Sequence, residues 1–500
     1  MEKKPIPRAT AESVGIPSSS IITFLNRILE HKLNLHSLLV IRSGKIVAEG
    51  YWAPFDKERK HRLYSVSKSI TALAIGYMID EGKISLDDHI VDFFPEKVQE
   101  PPNPRIINAT IHDMLIMSDC HDDQTYRFDQ EDWIDSWFTT DANHMPGKVF
   151  SYNTTCTNLL TAIVERVSGM KLLNYLRPVF DAIGVSDDIW CIETPEGYSF
   201  GGSGVMATPR DLAKIALLVM NKGKHEGEQL ISQDFIQKAT SKQIDNYFDF
   251  ITMEEDIEHQ QGYGYQIWRT RNNGFSFYGM GSQLAICLPD KELIVVTTGD
   301  TQGISPDTSE ILSALWETLY HDICEDSLPE DPKAQEELIN YMSNLALPVV
   351  EGDKASCLSE KVNGKTYVMN ENPMGIKDVC FSFHEDEGTF TYTTDRGIHR
   401  IDFGFGYNKK GDFPETHYSG TRIGTPKNTG YEMHASAAWC DEKTLLMVVY
   451  ITDDYLGSLK MYAVFDGESI QIAMKKRAEA FLEEYHGYAD GSSITTKERS

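Results

Sequence analysis

Five hundred residues, 41% of them hydrophobic and including 36 glycines and 20 prolines, give material for two or more domains and a large core. Lys and Arg total 47 against 75 Asp and Glu, a formal net charge of −28. Such a chain repels phosphate backbones and anionic lipid, which argues against nucleic acid or a membrane surface as partner.

The segment Met1–Pro7 lacks the apolar core of a signal peptide, and no run approaches the roughly 20 apolar residues of a membrane span. The eight cysteines are scattered, with no CxxC pair. They read as reduced residues of a cytoplasmic protein.

In chain order, Ser18–Ser20 caps a predicted helix carrying Ile22, Leu25, Ile28 and Leu29. A hairpin follows, Ser37–Ile41 and Lys45–Tyr51, turning at Ser43-Gly44. From Val66 to Asp80 apolar residues at Ile70, Leu73, Ala74 and Tyr77 keep helical spacing, and Gly82 stops the helix. Thr110–Met117 starts another helix, Asp129–Thr139 reads as irregular or weakly helical, and Thr157–Val167 is strongly helical. Thr208 caps a helix over Pro209–Met220 with proline at its first position. Strands at Leu284–Leu288 and Leu293–Thr298 precede a helix at Ser309–Ile323.

Composition then changes. Glu325–Pro332 is acidic and reads as a linker before a short helix at Ala334–Leu345. Beyond about residue 355 the chain alternates with period two over Thr366–Met369, Val379–His384, Thr389–Thr393, His399–Phe405, Met433–Trp439, Thr444–Ile451 and Lys460–Phe465. These predict antiparallel strands in a barrel or sandwich. The expected division is 1–325, a linker over 326–355, and a β-rich domain over 356–500.

Three stretches carry chemistry. Ser65-Val66-Ser67-Lys68 lies at a predicted helix start. One turn separates hydroxyl from ammonium, so they meet on one side of the helix. A serine needs a group to take its proton, and a nearby lysine supplies or assists one. The unpaired N–H groups of the helix start favour an oxyanion there. The plainer alternative is an ordinary N-cap serine. Ser168-Gly169-Met170-Lys171 repeats the pattern, but it follows a helical stretch and its glycine breaks the turn.

The second stretch, Phe150-Ser151-Tyr152-Asn153-Thr154, places a tyrosine on a turn after Pro146-Gly147. Beside a lysine it can serve as general base; otherwise it is a packed aromatic. The third, Phe277-Tyr278-Gly279-Met280-Gly281-Ser282-Gln283, enters an apolar strand. Its glycines suit either an edge that substrate lies against or a simple bulge.

Taken in order, these stretches resemble the serine β-lactamase-like, penicillin-recognising hydrolases, in particular the class C β-lactamase and esterase branch. The resemblance covers about residues 10–325. It also rests on Thr110–Leu115, Pro146–Tyr152, Gly202-Ser203-Gly204 through Leu212, and Gly262-Tyr263-Gly264-Tyr265-Gln266-Ile267-Trp268. It implies an α+β fold, an antiparallel sheet flanked by helices with an all-helical lobe. It also implies Ser65 as nucleophile, Lys68 as its partner, Tyr152 as base, and the N–H groups of Ser65 and Met280 as oxyanion hole. Thr154, Phe277, Tyr278, Gly279 and Gln283 would then contact substrate.

Two positions depart from the family pattern. Thr154 stands where Tyr-x-Asn has asparagine, and Phe277 stands where relatives place a cation for a substrate carboxylate. The ending Gly281-Ser282-Gln283 looks like that of esterase and amide-oligomer hydrolase members. The expected activity is hydrolysis of a small ester or amide through an acyl-enzyme. The alternative is a non-catalytic protein of the same fold that binds an acylated ligand or presents its β-domain to a partner.

Gly197-Tyr198-Ser199-Phe200-Gly201 matches Gly-x-Ser-x-Gly, but Pro195 precedes it and a glycine-rich loop follows, so it is not expected to form a nucleophile elbow. No metal or other cofactor is indicated. His112 and His121, beside Asp113, Asp122 and Asp123, read as an exposed polar loop.

Overall fold

The structure is a computed structural model, and it describes residues 3–246, 257–302, 308–414, 431–453, 456–477 and 485–493. The chain divides into two compact units, one running to Leu345 and the other beginning at Ala346. This division falls within the expected linker. The helix Pro332–Ser343 belongs to the first unit and packs on the helix Ser18–Glu30 and the strand Lys45–Tyr51, instead of standing in a linker. Among the described residues no helix is long and apolar enough to cross a membrane.

The first unit is built on a six-stranded antiparallel sheet. Its order is Lys45–Tyr51, Leu35–Arg42, Leu293–Gly299, Gln283–Leu288, Phe275–Gly279 and Trp268–Arg269. Leu35–Arg42, Gln283–Leu288 and Leu293–Gly299 are buried at every position. Their runs of Leu, Ile and Val are therefore nearly continuous and do not alternate.

Most of the helical lobe lies, in sequence, between the hairpin Leu35–Tyr51 and the other four strands. The helix Val66–Asp80 runs through it and packs on the helix Thr154–Ser168 and the strand Phe275–Gly279. It is buried on nearly all sides, more than the single apolar face predicted from its sequence. Its buried polar residues are each bonded to main chain: Ser67 Oγ accepts from Val205 N at 3.0 Å, and Ser69 Oγ donates to Gln266 O at 2.7 Å. The segment Trp133–Thr139 is a defined helix, capped by Asp132, whose side chain accepts from Asp135 N. It buries Trp133 and Trp137 and is more regular than its sequence suggested.

The second unit is a closed barrel. Nine strands follow the order Gly397–Phe405, Glu387–Thr394, Asp378–His384, Thr366–Met369, Gly487–Ser493, Ser469–Arg477, Leu456–Asp466, Thr444–Thr452 and Tyr431–Trp439. Parallel pairs Gly404 with Ser436 and Phe405 with Ala437 close the ring, while Lys409–Phe413 adds to Tyr431–Trp439 outside it. Ring contacts fill the interior, with Phe381 at 4.9 Å from Phe390 and 5.4 Å from Phe465. Closure removes the open edges a sandwich would leave.

Candidate active site

Ser65 precedes the helix Val66–Asp80, and its side chain makes no capping hydrogen bond. The ordinary N-cap alternative is therefore not what the fold uses. The Oγ instead accepts from Lys68 Nζ at 3.0 Å. Lys68 is 1% exposed. Its ammonium also donates to Gly202 O at 2.7 Å and lies 5.0 Å from the centre of the Tyr152 ring. A buried cation needs such neighbours: a carbonyl dipole, a hydroxyl and an aromatic face offset part of the lost hydration.

Tyr64, just before the serine, holds φ of +46° although it is not glycine. That conformation costs of order 1–3 kcal/mol and persists only where surroundings impose it. Here the ring is buried under the Arg62 guanidinium, 4.6 Å from its centre, and the hydroxyl accepts from Gln302 Nε2 at 3.4 Å. Arg62 is itself fixed through Nε to Ser203 O at 2.9 Å.

Tyr152 is brought in from the Thr154–Ser168 helix. Asn153 caps that helix by accepting from Thr155 N at 2.9 Å. Thr154 is its first residue. A methyl group added at Gly202 would stand 2.5 Å from Thr154 Cγ2, so Thr154 packs directly on the loop whose carbonyl anchors Lys68. Gly201 is as tightly held, since an added Cβ would meet Thr161 Oγ1 at 1.9 Å and Thr71 Oγ1 at 2.5 Å. Glycine is required at both because the loop threads between two helices.

The strand Phe275–Gly279 closes the other side. A Cβ on Gly279 would lie 2.3 Å from Leu63 O, so this strand end passes against the backbone leading into Ser65. Met280 follows, in a turn where Gly281 and Ser282 hold φ of +76° and +69°. No acceptor for the N–H of Ser65 or Met280 is found among the described residues.

Tyr278 points to a group of rings. It lies 4.9 Å from His259 and 5.9 Å from Trp268, and Trp268 lies 5.4 Å from Tyr152 and 5.2 Å from Tyr263.

Two residues expected to touch substrate are buried. Phe277 is 0% exposed and belongs to the core, on the face of the strand opposite Tyr278. Gln283 is also fully buried. Its Nε2 donates to Met280 O at 3.2 Å, Gly281 O at 3.1 Å and Gly299 O at 2.6 Å. It braces the turn carrying Met280 and presents nothing to a ligand.

Ser199 lies in a loop, 4% exposed, and its N–H is held by Glu165 Oε1 at 3.1 Å. No strand–turn–helix displays it. Sequence reasoning missed the Gly202 carbonyl, the strain at Tyr64 and the rings around Trp268. The doublet Gly201-Gly202 was the available signal for a close backbone approach.

A family model described as Beta-lactamase matches residues 30–311. The chain belongs to the beta-lactamase family. Ser65, Lys68, Tyr152 and Met280 all fall inside the matched region. Among curated relatives, a 6-aminohexanoate-dimer hydrolase of Paenarthrobacter ureafaciens is 29% identical over 226 residues, covering 41% of this chain and 56% of that protein. An uncharacterised protein of Alkalihalophilus pseudofirmus is 22% identical over 237 residues, covering 42% of this chain and 66% of that one. The matches thus span a little over half to two thirds of those relatives' length.

A solved structure from Bacillus anthracis, named as a 6-aminohexanoate-dimer hydrolase, superposes with a TM-score of 0.50 at 19% identity. It covers 64% of this chain and 87% of its own. That likeness bears on the beta-lactamase fold alone.

Proposed function

We propose that this beta-lactamase-family protein is a serine hydrolase that cleaves a small ester or amide through an acyl-enzyme on Ser65. One observation carries the reading. The Ser65 hydroxyl is spent on no cap and lies 3.0 Å from a buried ammonium.

In the acylation step the Ser65 Oγ attacks the substrate carbonyl carbon and its proton passes to the phenolate oxygen of Tyr152, which the Lys68 ammonium stabilises. The carbonyl oxygen gains negative charge, and the N–H groups of Ser65 and Met280 receive it. Collapse breaks the bond to the alcohol or amine, which leaves with the proton Tyr152 holds. Water then attacks the acyl carbon with the same base, and the acid departs as Ser65 recovers its proton.

The strand beside the site turns Tyr278 toward the His259 and Trp268 rings and offers no cation there, while Phe277 lies in the core. A substrate carboxylate there would lose water without gaining a partner. This favours esters and amides lacking the carboxylate of penicillins. A relative's name, 6-aminohexanoate-dimer hydrolase, adds linear amides to the substrates to screen. The non-catalytic alternative is disfavoured by the retention of serine, lysine and tyrosine together. Short-chain p-nitrophenyl esters should turn over far faster than benzylpenicillin, and Ser65→Ala should abolish both activities. Equal efficiency on the two substrates would refute the selectivity, and an active Ser65→Ala would refute the nucleophile.

A further inference from the structure

Of the residues expected in an exposed polar loop, Asp122 and Asp123 are exposed, but His121 is buried with Asp119 and Cys120. Asp119 and Cys120 are 0% exposed and His121 is 1% exposed. One donor atom from each of the three lies within 4.8 Å of the others. The outer side of each ionisable group is already held. Trp137 Nε1 donates to Asp119 Oδ2 at 2.9 Å, Asn153 Nδ2 donates to the same oxygen at 3.3 Å, and His121 Nε2 bonds Trp137 O at 3.0 Å.

The remaining atoms are the unusual part. Asp119 Oδ1 and His121 Nδ1 have no hydrogen-bond partner among the described residues. If the pair were a plain buried ion pair, these two atoms would bond each other. Leaving both buried and unpaired costs about 1–3 kcal/mol for each neutral group and more for a charged one.

A histidine whose far nitrogen gives its proton to a backbone carbonyl has its other lone pair free for a metal. A carboxylate with one oxygen fixed and one open has the same form.

We propose that Asp119 Oδ1, Cys120 Sγ and His121 Nδ1 form a structural site for a zinc-class divalent cation. Oxygen, imidazole and sulfur together suit Zn²⁺. Bond lengths of about 2.0–2.3 Å put tetrahedral donors roughly 3.3–3.8 Å apart, and the three donor atoms lie within 4.8 Å of one another. The Cys120 thiol gives up its proton to solvent as its sulfur takes the metal. The ion would pin the loop after the helix Ile111–Leu115, whose Asp119 also accepts from Asn153, the cap of the Thr154–Ser168 helix. This inference does not depend on the proposed hydrolysis.

The test is metal analysis of the full chain produced in zinc medium and, separately, in cobalt medium. We expect about one metal per chain, with a thiolate-to-cobalt charge-transfer band in the cobalt protein. Cys120→Ser and His121→Ala should each lose the metal and the band. Folded wild-type protein holding less than about a tenth of a metal per chain overturns the site. Undiminished metal in Cys120→Ser also overturns it, because the ion is then bound elsewhere. Should the variants not fold, wild-type protein is unfolded with a chelator and refolded with cobalt. Appearance of the band supports the site, and a refolded protein without it refutes the proposal.

Discussion

Gln266 ties together the helices Val66–Asp80 and Thr154–Ser168, and replacing it should be costly well beyond its size. It is 1% exposed with φ of +56°. Thr157 Oγ1 donates to its Oε1 at 2.6 Å, and its Nε2 donates to Met114 O at 2.8 Å and Leu115 O at 3.2 Å. Its own carbonyl accepts from Ser69 Oγ at 2.7 Å. One residue therefore joins the helix of Ser65 and Lys68, the helix that follows Tyr152, and the helix Ile111–Leu115.

Gln266→Ala removes three side-chain bonds and leaves the Thr157 hydroxyl buried without a partner, while Met114 O keeps the Met117 N–H at 3.3 Å. Leu115 O keeps the Gln266 N–H at 2.9 Å. At about 1–3 kcal/mol for that one unsatisfied group, the expected loss is about 2 kcal/mol. Gln266→Gly loses the same bonds but relieves the left-handed backbone, worth about 1–2 kcal/mol against an entropy cost of about 0.4–1 kcal/mol. The glycine variant should therefore be the more stable of the two.

Unfolding by urea, followed by tryptophan fluorescence, reports chiefly on the first unit, because only Trp439 lies in the second. Ester turnover measured at low temperature, where both variants are folded, should fall in each as the helices lose their common anchor. Gln266→Ala within about 1 kcal/mol of wild type, below the range for even one unsatisfied buried group, would refute the reasoning.

Gly202→Ala should lower ester hydrolysis at least tenfold with little change in substrate binding, because the added carbon pushes on Thr154 and shifts the carbonyl that holds Lys68; unchanged kcat would remove that carbonyl from the site. Tyr152→Phe keeps the ring and its contacts, so the protein should fold while kcat falls by roughly the 10²–10⁴-fold of a lost general base. A folded variant retaining more than about a tenth of the rate leaves Lys68 as sole base.

His36 Nδ1 and His61 Nε2 lie 3.0 Å apart and fully buried. Burial pushes His61 down to about 3 and His36 well below its usual value. The unfolded chain thus takes up protons first, and stability present above pH ~6.5 is lost as pH falls, by up to about 1.4 kcal/mol per unit for each imidazole. His61→Phe should flatten that slope between about pH 6.5 and 4.5; parallel profiles would contradict it.

The serine and lysine were legible because a helix fixes what lies three residues on. The barrel strands were legible wherever burial alternates, as over Thr444–Thr452. Ser469–Arg477 carries the same signal in Ile470, Ile472 and Met474, whereas Gly487–Ser493 and Lys409–Phe413 have too few apolar residues to reveal their pairing.

Phe277 and Gln283 were misplaced for a different reason. Their strands are covered on both faces, so alternation separates the faces without saying which one opens to a ligand. His121 looked exposed because its neighbours Asp122 and Asp123 are, and only tertiary packing turns it under Trp137. The Tyr64 contact with Gln302 and the Gly202 bond to Lys68 join residues more than a hundred positions apart, which no local pattern carries.

The central claim is that Ser65 is the nucleophile. A fluorophosphonate should react with the native protein once, and peptide mapping by mass spectrometry should place the adduct on Ser65, with no labelling of Ser65→Ala. An adduct on Ser199, or on any other serine with Ser65 unmodified, would contradict the account.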